Sequence, residues 1–215
     1  MDIKPIETFY NGYRFRSRLE ARWAVFFDDL GIKYEYEAEG FTLDDGRAYL
    51  PDFYLPEFNI FVEIKANRDS DDGKAKRFAW SYTNFGDPYG GIVICYGDPM
   101  NRDCYFITLS ESDDGGGGMY ENDCYWAITQ NNTPVLFMDG DSRERVIGMC
   151  AYRIYNGWDL RNYTFDHPIH AELKARQARF EHGETPEGGT QMTSNEHLLS
   201  WEDLEKGINR KDGDI

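Results

Sequence analysis

The stretch LPDFYLPEFNIFVEIKA, residues 50–66, constrains the fold of this chain more than any other. Two strand-like runs, LPDFYL and NIFVEIKA, flank a turn at Pro56-Glu57-Phe58-Asn59, because β-branched and aromatic residues favour the pleated sheet and Pro and Asn favour turns. If the turn is centred between Glu57 and Phe58, Asp52 and Glu63 stand directly opposite each other. Their Cβ atoms are then about 5 Å apart on one face of the hairpin. Lys65, two residues beyond Glu63, points to the same face. A slip of one residue would send the two carboxylates to opposite faces, so turn geometry decides whether they meet.

Facing carboxylates repel, and burial strengthens the repulsion. Lys65 supplies one positive charge. A divalent cation supplies two and takes carboxylate, carbonyl and water oxygens. With the backbone carbonyl of Ile64 as a third ligand, Asp52 and Glu63 form a candidate site for Mg²⁺ or Mn²⁺. Lys65 would stand beside it, placed to act on a water that attacks a phosphate. The other reading of the same residues is a structural charge triad on an exposed sheet face.

The segments around the hairpin supply the rest of a sheet. In SRLEARWAVFFDDLG the residues Leu19, Trp23, Phe26, Phe27 and Leu30 recur at helical period, and Gly31 is placed to end the helix. KYEYEAEGFTL alternates aromatic and charged residues as a half-buried strand does, and DDGR is a turn. AYLPDFYL and NIFVEIKA read as the next two strands. DGKAKRFAWSYTNFG reads as a short helix with a basic first half, GGIVICYG as an interior strand, and DCYFITLS as one more strand. The order helix, three strands, helix, strand predicts an α/β (mixed α+β) fold, a central mixed sheet with helices on its faces.

This core is expected over residues 1–110. SDDGGGG, residues 112–118, has the composition of a flexible connection. An extension over 111–182 follows, with strands at CYWAITQ and TPVLFMDG and a helix at HAELKARQARFEHG. Whether it packs on the core or forms its own unit is open. Residues 183–215 are polar, acidic and turn-rich, and are expected to be largely disordered apart from a short amphipathic helix in HLLSWEDLEKG.

The net charge is −16. Such a balance excludes a general nucleic-acid-coating protein, which would be basic. The first 80 residues hold 12 Lys and Arg against 16 Asp and Glu, so most of the acidity lies in the remainder. There is no run of 18 apolar residues for a transmembrane helix and no apolar stretch of a signal peptide near residue 1. Together with four widely spaced cysteines read as reduced thiols, this predicts a cytoplasmic protein.

Pro51-Asp52, ten residues, then Glu63-Ile64-Lys65 resembles the PD-(D/E)XK nuclease signature, in an element order like that superfamily's restriction-endonuclease-like core. The longer stretch YRFRSRLEARWAVFFDDLGIKYEYEAEGF, with YLPDFYLP and FVEIKA, is similar to small nuclease-like proteins frequent in bacteriophage genomes. The resemblance implies a Mg²⁺- or Mn²⁺-dependent endonuclease acting on DNA in the host cytoplasm. Asp52 and Glu63 would be metal ligands and Lys65 the catalytic lysine. Glu20 would complete the metal site, although Ser17-Arg18-Leu19-Glu20 also reads as a capping box. Arg16, with Lys74 and Lys76, would hold phosphates. The alternatives are an acidic protein-binding or DNA-mimic protein on the same kind of fold, directed at a host-defence protein through its acidic C-terminal part, and a phage structural accessory.

Overall fold

Asn11 and Gly12 both take positive φ, 46° and 82°, which a two-residue hairpin turn requires. They join β1 (Thr8–Tyr10) to β2 (Tyr13–Phe15), with Phe9 opposite Arg14. The computed structural model describes residues 5–83, 89–111, 117–138, 145–148, 155–156 and 165–180.

Helix α1 (Arg18–Asp29) begins where the Ser17 hydroxyl accepts the Glu20 amide at 3.2 Å. Its apolar stripe buries Trp23, Phe26 and Phe27. The helix stops at Gly31, whose φ of 69° is left-handed. The Gly31 and Ile32 amides then close the last turn on Asp28 O and Phe27 O at 3.1 and 2.9 Å.

The next region departs from the sequence expectation. KYEYEAEGFTL is not one strand: it divides into β3 (Glu35–Tyr36) and β4 (Phe41–Thr42). Glu37 takes a φ of 49° between them and breaks the extended backbone. AYLPDFYL divides likewise, into β5 (Ala48–Tyr49) and β6 (Phe53–Leu55). Pro51, which has no N–H for a ladder, sits at that break. β4 and β5 pair in a small sheet of their own, whereas β3 and β6 join the main sheet.

β7 (Ile60–Lys65) follows β6 antiparallel, and α2 (Gly73–Tyr82) carries the chain across to β8 (Gly91–Tyr96), which pairs with β7 in parallel. Next come β9 (Cys104–Glu111), β10 (Gly117–Thr129), β11 (Pro134–Met138), β12 (Arg145–Gly148), β13 (Tyr155–Asn156) and β14 (Phe165–Asp166). Helix α3 (Ile169–Gln177) is the last element. The main sheet has ten strands in the order β13-β12-β11-β10-β9-β8-β7-β6-β3, with β14 on β10. The fold is therefore mixed α/β, with a mixed central sheet.

Alternation along β7 divides two cores. Ile60, Val62 and Ile64 pack under α1, and Phe61 packs with Phe78 of α2 on the other face. Residues 112–116 of the glycine-rich connection lie outside the described set, but Gly117 and Gly118 pair with Glu111 and Ser110. The described part of the extension packs on the first part. Trp126 of β10 meets Phe27 and Phe58 edge-on at 5.6 and 5.3 Å. Glu172 of α3 takes two bonds from Arg102, both 2.7 Å, and Lys174 bonds Asp29 at 2.8 Å. The expected tail, 183–215, lies outside the described residues. Cys95, Cys104 and Cys124 are buried free thiols, while Cys150 is outside the described set. No helix among the described residues is long and apolar enough to cross a membrane.

Candidate functional site

β6 leaves the β7 ladder after the pairs Leu55↔Ile60, Tyr54↔Phe61 and Phe53↔Val62. This is the register centred between Glu57 and Phe58, and the next position outward sets Asp52 opposite Glu63. Beyond the last pair, the Ile64 N–H donates to Asp52 Oδ2 at 2.7 Å. The Lys65 carbonyl accepts from Gly97 N at 2.8 Å, on the β8 side. Backbone groups alternate in direction along a strand, so the Ile64 carbonyl is directed to the β6 side, toward Asp52.

Asp52 and Glu63 are each only 7% exposed. Glu63 Oε1 accepts from Lys65 Nζ at 2.7 Å, and Oε2 accepts from the Tyr49 hydroxyl at 2.8 Å. Tyr49 comes from β5 and rests against Phe78 of α2 at 5.4 Å between ring centres. The small sheet that the Pro51 break creates thus delivers a donor to Glu63. Burial by itself holds the Tyr49 hydroxyl protonated, and the charge on Glu63 reinforces this.

Glu20 reaches the same region from the start of α1. Its Oε1 accepts from Ser17 Oγ at 2.6 Å; its Oε2 accepts from the Tyr36 hydroxyl at 2.5 Å and from the Arg16 amide at 3.1 Å. The N-terminal cap and the candidate site therefore share this residue. The cap differs from a capping box in that the Glu20 carboxylate meets the Ser17 hydroxyl and the Arg16 amide.

Burial pushes the Asp52 carboxyl well above the ordinary carboxylate range, and the charges of Glu63 and then Glu20 push it further. The Ile64 amide and the Lys65 charge oppose the shift. The disfavoured charge is therefore that of Asp52, which accepts one backbone hydrogen bond, whereas Glu63 and Glu20 each accept donors at both oxygens. The chemistry of the donors, two carboxylates and a backbone carbonyl, is of the kind a hard divalent cation takes. Among the described residues no group of three or more His, Cys, Asp or Glu side chains is arranged to hold a metal. A cation here would rest on Asp52, Glu63 and the Ile64 carbonyl, with Glu20 beside them; both oxygens of Glu63 and both of Glu20 already accept hydrogen bonds, which a cation would have to displace or share.

No family model, curated protein or solved structure matches this chain.

The expected phosphate-binding cations lie on two sides of it. Arg16 is tied to Glu20 through its backbone, and its guanidinium pairs with Glu37. Lys74 donates to the Ala48 carbonyl at 3.0 Å, one residue from Tyr49. Lys76 is paired with Asp72 at 3.1 Å, and Asp72 in turn accepts from the Tyr96 hydroxyl at 3.1 Å. Tyr96 is the β8 residue in register with Lys65. Each cation has a local partner.

Two residues of the site escaped the sequence reading, Tyr49 and Tyr36. Both stand in runs whose aromatic–charged alternation was visible, but their carboxylate partners are 14 and 16 residues away.

Proposed function

We propose that this chain is a divalent-metal-dependent endonuclease that hydrolyses DNA phosphodiester bonds, with a restriction-endonuclease-like core resembling that of PD-(D/E)XK nucleases. A phage origin and action in a bacterial cytoplasm belong to the same proposal. The observation that carries it is the buried opposition of Asp52 and Glu63, with Lys65 bonded to Glu63, at the place where β6 departs from β7. A divalent cation is one way to compensate Asp52, whose charge is disfavoured there, and a cation on oxygen ligands beside an ammonium suits phosphate chemistry.

When bound, Mg²⁺ or Mn²⁺ would supply Lewis acidity toward a phosphoryl oxygen. Asp52 and Glu63 hold the position for it, and Tyr49 fixes the Glu63 carboxylate. Lys65 offers its ammonium to the attacking water and to the charge that develops on the phosphate, an interaction strongest in the transition state. Arg16 and Lys74 flank the site as phosphate contacts, and Lys76 extends the second flank.

The test is nicking of a supercoiled plasmid by wild type and by Glu63→Ala, in Mg²⁺, in Mn²⁺ and in chelator. Wild type is expected to nick only with metal. The variant is expected to lose activity by about 10²-fold or more, because it removes a ligand of the metal whose charge stabilisation is worth several kcal/mol. Metal-independent nicking, or equal rates for the two proteins, would overturn the assignment. A second reading has its own observation behind it. Arg16, Lys76 and Arg77 are paired with Glu37, Asp72 and Asp44 within a chain of net charge −16. This favours an acidic binder of a host DNA-binding protein, and a wild-type protein that folds, is pure and nicks nothing would favour that reading.

A further inference from the structure

Phe9 is 73% exposed, the most exposed of the large hydrophobic side chains among the described residues. It stands on a fixed support. The other face of its hairpin is buried through Thr8, Tyr10 and Phe15. Tyr10 meets Phe180 edge-on at 6.0 Å, and Asn11 Nδ2 donates to Asp28 of α1 at 3.2 Å. Phe9 therefore projects from an element held against α1 and Phe180, and hydrophobic burial within the described fold does not account for it.

Its surroundings are cationic. Arg14 is its cross-strand partner, with the guanidinium carbon 5.8 Å from the ring centre. Arg14 pairs with Glu7, and Arg16 with Glu37; the two arginine side chains are 61% and 55% exposed. The Arg14–Glu7 pair is exposed on both sides, and exposed ion pairs contribute little, so a phosphate can replace Glu7 at low cost; Glu37 is only 26% exposed and holds Arg16 more firmly. Arg14 and Arg16 each face one carboxylate, Glu7 and Glu37, so two arginines stand close together beside Phe9 in a chain of −16. Arg16 follows directly after β2, in the bend that leads to α1. The Arg16 amide donates to Glu20, which connects this face directly to the candidate site.

We propose that the Phe9–Arg14–Arg16 face is a stacking platform for an unpaired nucleotide of a DNA strand. The inference rests on the nuclease reading and gives its substrate class: DNA with a single-stranded segment rather than continuous duplex. An exposed ring gains by covering the flat face of a base, and in a continuous duplex those faces are already stacked on their neighbours. Only an unpaired base offers one. The arginines take the flanking phosphates, which carry position and no sequence information.

The measurement is affinity of the full-length protein for a single-stranded oligonucleotide and for a covalently closed circular duplex, with Ca²⁺ in place of Mg²⁺ to suppress cutting. Phe9→Ala is expected to weaken single-strand binding about tenfold, within the range that base–aromatic stacking contributes. Its affinity for the closed duplex is expected to stay unchanged. Phe9→Leu, which keeps an apolar side chain without the ring, should behave like Phe9→Ala, whereas Phe9→Trp should bind as wild type does. Trp80, 52% exposed on α2 at the other face of the sheet, serves as a control, and Trp80→Ala should change neither affinity. An oligomer of abasic sugar-phosphate should bind wild type and Phe9→Ala equally. Single-strand affinity that is undetectable in wild type, unchanged by Phe9→Ala, or lost in proportion with duplex affinity would overturn the platform. Cleavage in Mg²⁺ separates the two claims. Phe9-dependent binding without any cleavage removes the nuclease reading alone, and cleavage with binding indifferent to Phe9 removes the platform alone.

Discussion

Asp52 is held where its charge is disfavoured, and that has a sign. Its folded pKa lies above the unfolded value, so the native state binds the proton more tightly than the unfolded chain does. The charged group's penalty is absent at low pH. It appears as pH rises from the ordinary carboxylate range through the raised folded value, and stability falls over that window. In chelator at neutral pH, Asp52→Asn should therefore melt higher than wild type, and its melting temperature should vary less as pH rises above the ordinary carboxylate range. Equal melting temperatures and equal pH slopes would show that the site compensates Asp52 without help. Lys65 behaves differently, because its ammonium is bonded to Glu63 and its side chain is 22% exposed. Lys65→Ala should abolish cleavage while DNA affinity, measured in Ca²⁺, stays within about threefold of wild type, since an interaction made mainly in the transition state contributes little to ground-state binding. Loss of affinity in step with cleavage would make Lys65 a binding contact.

At the scale of elements, what the sequence disclosed followed the range of the interactions. The α1 stripe of Trp23, Phe26 and Phe27, the Gly31 stop, α2, and the strands β7, β8 and β9 are decided by neighbours within a few residues, and periodicity exposes them. The register that brings Asp52 to Glu63 was also legible, because a short turn fixes it locally. The divisions of KYEYEAEGFTL and AYLPDFYL were not. They depend on the chain crossing between two sheets, with Glu37 in a left-handed conformation that its identity does not announce. The Tyr49–Glu63 and Tyr36–Glu20 bonds were hidden for the same reason. Gly91, at the start of β8, is an element-scale test. A Cβ there would lie 2.5 Å from two ring atoms of Phe106 and 2.9 Å from the Ile107 carbonyl. Gly91→Ala should destabilise the protein by about 1–3 kcal/mol, the cost of overpacking a filled core, read from denaturant unfolding. An unchanged midpoint would mean that β8 and β9 can part more easily than their packing indicates.

For the whole molecule, the sheet joins segments of different composition. Trp126, Leu136 and Met138 belong to the same buried cluster as Phe27 and Phe58. A fragment ending at residue 110 loses all three, at about 2–5 kcal/mol for each large buried side chain. That exceeds the margin of a typical domain, so the fragment should show no cooperative melt by circular dichroism, and a sharp melt would mark residues 1–110 as an independent unit. The acidic charge of the whole chain and its few local cations make the proposed function depend on the metal, which offsets the carboxylates and joins the protein to a polyanion. Titration calorimetry with Mn²⁺ tests this most directly, on wild type, Asp52→Ala and Glu63→Ala. Wild type should show saturable binding that each substitution weakens at least tenfold, because each removes a hard oxygen ligand. Equal affinity in all three proteins, or no binding to wild type, would contradict the metal site and the nuclease reading built on it.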